Sequence, residues 1–243
     1  MSVILQTSGL WRTFGGVAAV AGVDFELREG ELRCLIGANG AGKSTFFKML
    51  TGQLKPTSGR ITLYGKDITH LPSFAIARMG VGIKTQVPNL FNGLSVRENL
   101  LVAARFRMSA REASEAADAM LERIRMTSQA KLPTGSLAHG HRQWVELGMI
   151  LINDPRLVLL DEPAAGMTAG EVERTISLLE SMRGERSFII VEHDMHFIRR
   201  IAQRVTVFHR GRVLVEDTMD EVVRNNEVRD AYLGSAGARR AVS

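Results

Sequence analysis

The apolar positions of this chain follow a two-residue period first and a helical period later. Residues 3–9, 23–27 and 32–36 alternate or cluster β-forming side chains around the turn Arg28-Glu29-Gly30, and residues 61–64 add another such run, so the opening third predicts a β-rich layer. Residues 72–79 predict a short helix with Pro72 in its first turn and Gly80 as its stop. From about 96 to 126 the spacing is helical, and Ser109 with Glu112 makes a capping-box pair ahead of residues 113–126. The unbroken apolar runs at 157–160 and 188–191 predict buried strands on either side of a helix that Thr168 and Glu171 can cap. Residues 205–208 and 213–215 predict a closing strand pair around Arg210-Gly211-Arg212. This order predicts an α/β fold with an N-terminal β layer and an inserted helical segment.

The stretch Gly37-Ala38-Asn39-Gly40-Ala41-Gly42-Lys43-Ser44-Thr45 follows the apolar run 32–36, precedes the amphipathic residues 46–50, and fits the phosphate-binding pattern G-x-x-x-x-G-K-[S/T]. Its glycines let backbone N–H groups converge on phosphate oxygens at the positive end of the helix that follows. Lys43 is expected to reach the β- and γ-phosphates and Ser44 to ligate Mg²⁺, so the chain is expected to bind a nucleoside triphosphate with Mg²⁺. A second signal is Leu157-Val158-Leu159-Leu160-Asp161-Glu162-Pro163, an apolar strand ending in two carboxylates. Asp161 then suits the Mg²⁺ shell and Glu162 suits a general base that polarises the attacking water. His193 follows the apolar strand 188–191, where it can contact the γ-phosphate edge and the base. Gln86, after Gly82-Ile83-Lys84-Thr85, stands where an amide can reach both the Mg²⁺ and the water.

Composition narrows the setting. With 243 residues and 45% hydrophobic content the chain can bury a substantial core, and its longest apolar runs fall far short of the roughly 18 residues that cross a bilayer. The N-terminal residues lack a secretory pattern, and a single cysteine, Cys34, excludes an internal disulfide, as suits a reducing cytosol. Cys34 is expected to be a small buried residue in the strand feeding the phosphate loop. The net charge of +5 raises nucleic acid or anionic lipid as partners, but the basic residues are dispersed among acidic ones, and no nucleic acid is expected.

One further segment, Leu137-Ala138-His139-Gly140-His141-Arg142-Gln143, stands directly before a helical run ahead of the Asp161 strand. With it the chain resembles the ATP-binding cassette (ABC) family, the nucleotide-binding subunits of membrane transporters. The resemblance spans nearly the whole length: Phe14 where an aromatic stacks on adenine, the phosphate loop, Gln86, residues 137–141 at the signature position, the carboxylate strand and His193. It implies a P-loop (RecA-like) α/β core with the antiparallel β layer at residues 1–86 and 155–234, a helical subdomain at 87–154 and a loose tail at 235–243. It also implies a head-to-tail dimer sandwiching two ATP molecules, with Ala138 and Gly140 facing the partner's nucleotide. Further segments, among them Ala77-Arg78-Met79-Gly80, Leu94-Ser95-Val96-Arg97-Glu98-Asn99-Leu100, Glu162-Pro163-Ala164-Ala165-Gly166-Met167 and the closing Glu227-Val228-Arg229-Asp230-Ala231-Tyr232-Leu233-Gly234, resemble importers of branched-chain amino acids and urea. Two permease subunits, a second ATPase, the same or non-identical, and an extracytoplasmic binding protein acting indirectly are the implied partners. The implied location is peripheral, on the cytoplasmic face of the cell membrane.

Two departures from the family pattern are visible. Where the family has Leu-Ser-Gly-Gly-Gln, the hydroxyl is lost to Ala138 and His139 and His141 replace Gly and Gln, which weakens that half-site by about 1 kcal/mol if one net hydrogen bond is lost. Ala165-Gly166-Met167-Thr168 replaces the family's Ser-Ala-Leu-Asp. A metal site from His139 and His141, or from His193 and His196, lacks the Cys or carboxylate cluster to complete it. A soluble ATPase acting on DNA or ribosomes would be expected to carry a coiled-coil insertion, a zinc module or a second cassette. A GTPase or small-molecule kinase leaves residues 137–141 unexplained, and no guanine-reading Asn-Lys-x-Asp is present.

Overall fold

The structure, a computed structural model, describes residues 2–86 and 89–231. The chain runs through β1 (Val3–Phe14), β2 (Val17–Arg28), β3 (Leu32–Gly37), α1 (Lys43–Leu50), β4 (Ser58–Leu63), β5 (Lys66–Asp67), α2 (Ser73–Arg78) and β6 (Val81–Lys84). It continues through α3 (Val96–Ala104), α4 (Ala110–Arg123), α5 (His139–Leu151), β7 (Leu157–Asp161), α6 (Ala169–Glu180) and β8 (Ser187–Val191), and then α7 (Met195–Ile201), β9 (Arg204–His209), β10 (Arg212–Asp217) and α8 (Met219–Arg224). An antiparallel sheet in the order β2-β1-β4-β5 lies apart from a six-stranded sheet in the order β10-β9-β3-β8-β7-β6. In the second sheet only the β9–β10 pair is antiparallel.

Both faces of the six-stranded sheet are covered, which is why its strands read as unbroken apolar runs. Cys34, Val158, Leu160, Phe188 and Ile190 face a core shared with α3 to α7, whereas Leu35, Leu157, Leu159, Ile189 and Val191 face a core shared with α1 and the antiparallel layer. Cys34 is fully buried, and burial pushes its thiol well above the usual range. The two sheets are also joined by charge: Arg33 of β3 bonds Glu31 at 2.6 Å, Thr206 of β9 at 2.8 Å, Glu216 of β10 at 2.7 Å and the Glu26 carbonyl of β2 at 3.2 Å.

The structure revises two expectations. The first two strands are longer than predicted, because register shifts around residues 7–13 break the two-residue alternation that would have marked them. Residues 32–36 belong to the parallel sheet and not to the antiparallel layer, since an apolar run does not declare its neighbours. The helical stretch over 96–126 is two helices, the second starting at the Ser109 cap that its capping-box pair predicts, and they are parted at 105–109, where Arg107 caps the Ala77 and Arg78 carbonyls of α2. Val87, the closing residues Tyr232, Leu233 and Gly234, and the tail 235–243 lie outside the described residues.

Capping chemistry explains several helix starts. Ser109 and Glu112 form the capping box of α4, Thr168 and Glu171 that of α6, and Ser95 and Glu98 that of α3. Thr168→Ala removes an acceptor for the Glu171 N–H and a donor to its carboxylate, and is expected to lower unfolding free energy by about 1 kcal/mol. A denaturant titration that shifts the midpoint at constant slope checks this.

Candidate active site

Strand β3 delivers Gly37 to a loop that closes on α1, whose N-cap is Gly42 with φ 107°. A side chain at Gly42 would stand 2.5 Å from the Ala19 carbonyl, and one at Gly37 would collide with the Phe208 carbonyl, so packing itself demands glycine there. Helix α1 has no side-chain cap and no acidic residue in its first turn. Its N–H groups and positive dipole end are thus free to receive an anion. Lys43 curls over the loop, Nζ donating to the Gly37 carbonyl at 2.6 Å and the Ala38 carbonyl at 3.1 Å. Burial lowers the Lys43 pKa, and the carboxylates of Glu162 and Asp161 oppose that shift. Asn39, Gly40 and Ser44 are exposed, Thr45 is half-buried and Ala41 is buried.

The carboxylates arrive on β7, whose Leu160 is level with Lys84 of β6 and whose Asp161 is level with Val191 of β8. Asp161 is 3% exposed, and its Oδ1 is buried with no hydrogen-bond partner among the described residues. Burial first and the neighbouring Glu162 charge second raise its pKa to about 6, against the pull of Lys84, Lys48 and Lys43. An unpaired hard oxygen at this strand end, in the electrostatic field of Lys43 and Lys48 of α1, together with the Ser44 hydroxyl at that helix's start, fits the donor chemistry of Mg²⁺. Glu162 has φ 48°, a left-handed conformation uncommon outside glycine, held by its N–H donating to the Val191 carbonyl at 2.9 Å. Its Oε1 lies 3.8 Å from His193 Nδ1.

One organiser of this edge had no role assigned from sequence. Glu192, buried between β8 and His193, accepts the N–H groups of His193 at 2.8 Å, Asp194 at 3.3 Å and Ala164 at 3.2 Å, joining the loops that follow β7 and β8. Its signal was a carboxylate directly after an apolar strand, the same cue that marked Asp161. Gln86 is exposed just beyond β6, past the edge where β7 ends in Asp161. Phe14 is 47% exposed at the end of β1, with the Arg12 guanidinium 4.6 Å over its ring, on the hairpin whose Ala19 carbonyl abuts Gly42.

Ala138 and Gly140 lie elsewhere, at the start of α5; among the described residues no hydrogen bond ties them to the phosphate loop of the same chain. Ala138 is the N-cap and offers no side-chain cap, so the first N–H groups of α5 are also open. The Glu171 carboxylate occupies the space where a side chain at Gly140 would go. His139 Nε2 lies 3.1 Å from the Ala165 carbonyl and 3.1 Å from the Gln143 side-chain nitrogen. One imidazole N–H cannot donate to the carbonyl and accept from an amide at once. Turning the Gln143 amide lets that one N–H be shared between the Ala165 carbonyl and the Gln143 Oε1. Of the histidines weighed as metal ligands, His196 bonds Glu173 and His141 packs against Trp144 with ring centroids 5.4 Å apart.

A glycine loop wrapped at an uncapped helix, facing strand-end carboxylates across a doubly covered parallel sheet, defines a P-loop ATPase. Its antiparallel layer and the helices α3 to α5 between β6 and β7 are the cassette form of that fold. Residues 20–165 match the ABC transporter family, and the chain belongs to that family as an ATP-hydrolysing subunit. It is 38% identical to the high-affinity branched-chain amino acid transport ATP-binding protein BraF of Pseudomonas aeruginosa, over 96% of this chain and 98% of that one. The Escherichia coli K12 protein LivG, of the same description, is 36% identical over the same shares. Among solved structures, the ADP conformation of MJ1267, an ATP-binding cassette of an ABC transporter, superposes with TM-score 0.87 at 25% identity, covering 96% of this chain and all of that one. CbiO1 of Clostridium perfringens, part of the transporter complex cbiONQ, superposes with TM-score 0.83 at 29% identity over 100% of both chains. Among the described residues no helix is long and apolar enough to cross a membrane.

Proposed function

We propose that this chain energises the uptake of branched-chain or other hydrophobic amino acids as the ATPase of an importer. The observation that carries the solute class is the 36–38% identity to LivG and BraF across 96% of the chain. In this reading the chain sits on the cytoplasmic face of the cell membrane under two permease subunits. It pairs head-to-tail with a second ATPase, the same or non-identical, and a binding protein outside the membrane delivers the solute. The helical subdomain, residues 87–154, receives the permease, and residues 1–86 and 155–234 form the nucleotide-binding core.

Phe14 stacks on the adenine, and Gly37, Asn39, Gly40, Ala41, Gly42, Lys43 and Thr45 cradle the phosphates through backbone N–H groups and the Lys43 ammonium. Ser44, Gln86 and Asp161 would hold Mg²⁺, which when bound neutralises charge on the β- and γ-phosphate oxygens. Glu162 takes the proton of the attacking water, and His193, 3.8 Å away, fixes that carboxylate and meets the γ-phosphate edge. Gln86 senses the γ-phosphate. Ala138 and Gly140 close on the partner's nucleotide through backbone N–H groups and the α5 dipole, the signature hydroxyl being absent. ATP-driven closure of the pair moves the permease between access states, and hydrolysis resets it.

A mild-detergent pull-down of the chain from its native membranes, with mass spectrometry of what is retained, tests the reading. Recovery of permease subunits is expected and identifies the binding protein to titrate with leucine and with urea. Recovery of ribosomes or nucleic acid instead overturns the transport assignment.

A further inference from the structure

Two buried charges take no part in the steps above. Lys84, the last residue of β6, and Glu146, on α5, have side chains only 2% and 4% exposed, with Nζ and Oε2 3.6 Å apart. The other Glu146 oxygen accepts the Asn89 N–H at 3.0 Å. One carboxylate therefore fastens both flanks of the segment that holds Gln86: Lys84 before it and Asn89 after it. That carboxylate is carried by the helix whose N-terminus is the signature residues Ala138 to Gly140. Gly82, on the same strand, lets α5 approach closely, since a side chain there would stand 2.5 Å from Ile150 Cγ2.

Stability is a poor reason for such a pair. Desolvating two charges costs several kcal/mol, and an apolar pair of similar volume commonly packs as well or better. Burial pulls the Lys84 pKa down and pushes that of Glu146 up, each offset by the other's charge.

We propose that Lys84 and Glu146 are positioning residues that make the Gln86 segment and the signature helix move as one unit, so that ATP met at Gln86 re-aims the signature toward the partner's nucleotide. The proposal rests on the ATPase reading of Gln86. It requires no contact between either residue and ATP.

The test compares full-length Lys84→Met, Glu146→Leu and the double variant with the wild-type chain. Each single variant strands a buried charge and is expected to melt lower; the double variant removes both charges and is expected to melt near wild type. The double variant is nevertheless expected to lose about tenfold or more in kcat with little change in KM for ATP, the signature of an interaction used after binding. The motion itself can be read from Trp144, on α5 with Glu146, in a Trp11→Phe background that leaves Trp144 as the only indole. ATP is expected to change its emission in the otherwise wild-type chain and not in the double variant. A double variant with wild-type kcat and an intact Trp144 response overturns the proposal and leaves the ATPase reading standing. A wild-type chain that neither binds nor hydrolyses ATP overturns both. If the double variant does not fold, Lys84→Arg decides: retained turnover supports the link, and loss as complete as in Lys84→Met overturns it.

Discussion

Glu162→Gln is expected to cut steady-state ATP hydrolysis by roughly 10²- to 10⁴-fold, the range a positioned general base contributes. The amide keeps the length and shape of the side chain but has no basic oxygen to take the water's proton. Binding should survive, because Phe14, the phosphate loop and Lys43 are untouched. Folding should survive too, since the φ of 48° at this position is held by a backbone bond to Val191 that the substitution leaves alone. A phosphate-release assay beside a nucleotide-binding titration separates the two effects. A chain that turns over normally as Glu162→Gln does not use this residue as its base. With ATP bound and uncleaved, the variant is also expected to accumulate as the paired form, visible as an ATP-dependent shift on gel filtration.

Asp161→Asn is expected to abolish turnover and to raise the melting temperature of the nucleotide-free chain at neutral pH. The carboxyl of Asp161 ordinarily titrates near 3.8 and is pushed up to about 6 in the fold. Between those values the folded chain keeps a proton that the unfolded chain has released. Stability therefore falls as pH rises through that window, and the full penalty stands above pH 6, on the order of 3 kcal/mol. An amide carries no charge to desolvate, so melts at pH 8 should show a gap in favour of the variant that narrows below pH 6 and closes only as pH falls below 3.8, where both states carry the proton. Magnesium and ATP are expected to stabilise the wild-type chain and to do much less for the variant, because the unpaired Oδ1 that suits the cation is lost. A variant no more stable than wild type at pH 8 would mean that the carboxylate is not held at a cost.

The residues that announced the site did so through local rules. Glycine spacing, a lysine opening a helix and carboxylates at the end of an apolar run are properties of short segments, and the structure places Lys43, Asp161, Glu162 and His193 at one edge of the sheet. The capping boxes at Ser109 and Thr168 were legible for the same reason. What was not legible depends on distant partners. The strand β6 is short and contains Gly82, so nothing in Val81-Gly82-Ile83-Lys84 marks it as a strand until α5 is seen packed upon it. Likewise, Glu146 reads as one more polar residue on a helix. Its role as a buried counter-charge exists only because β6 and α5 meet. The bond from His139 to Ala165 shows the same limit, for it joins two segments that each depart from the family pattern and that sequence alone treats separately.

The seclusion of Cys34 has a practical consequence for following this protein at work. It is the chain's only cysteine, it has no exposed surface, and its thiol resists ionisation, so it should stay silent toward maleimide reagents while the fold is intact. A cysteine introduced at any exposed position would then be the single reactive handle on an otherwise unaltered chain. Spin labels or fluorescent dyes could be attached there, and subunit closure timed, without first stripping out native thiols.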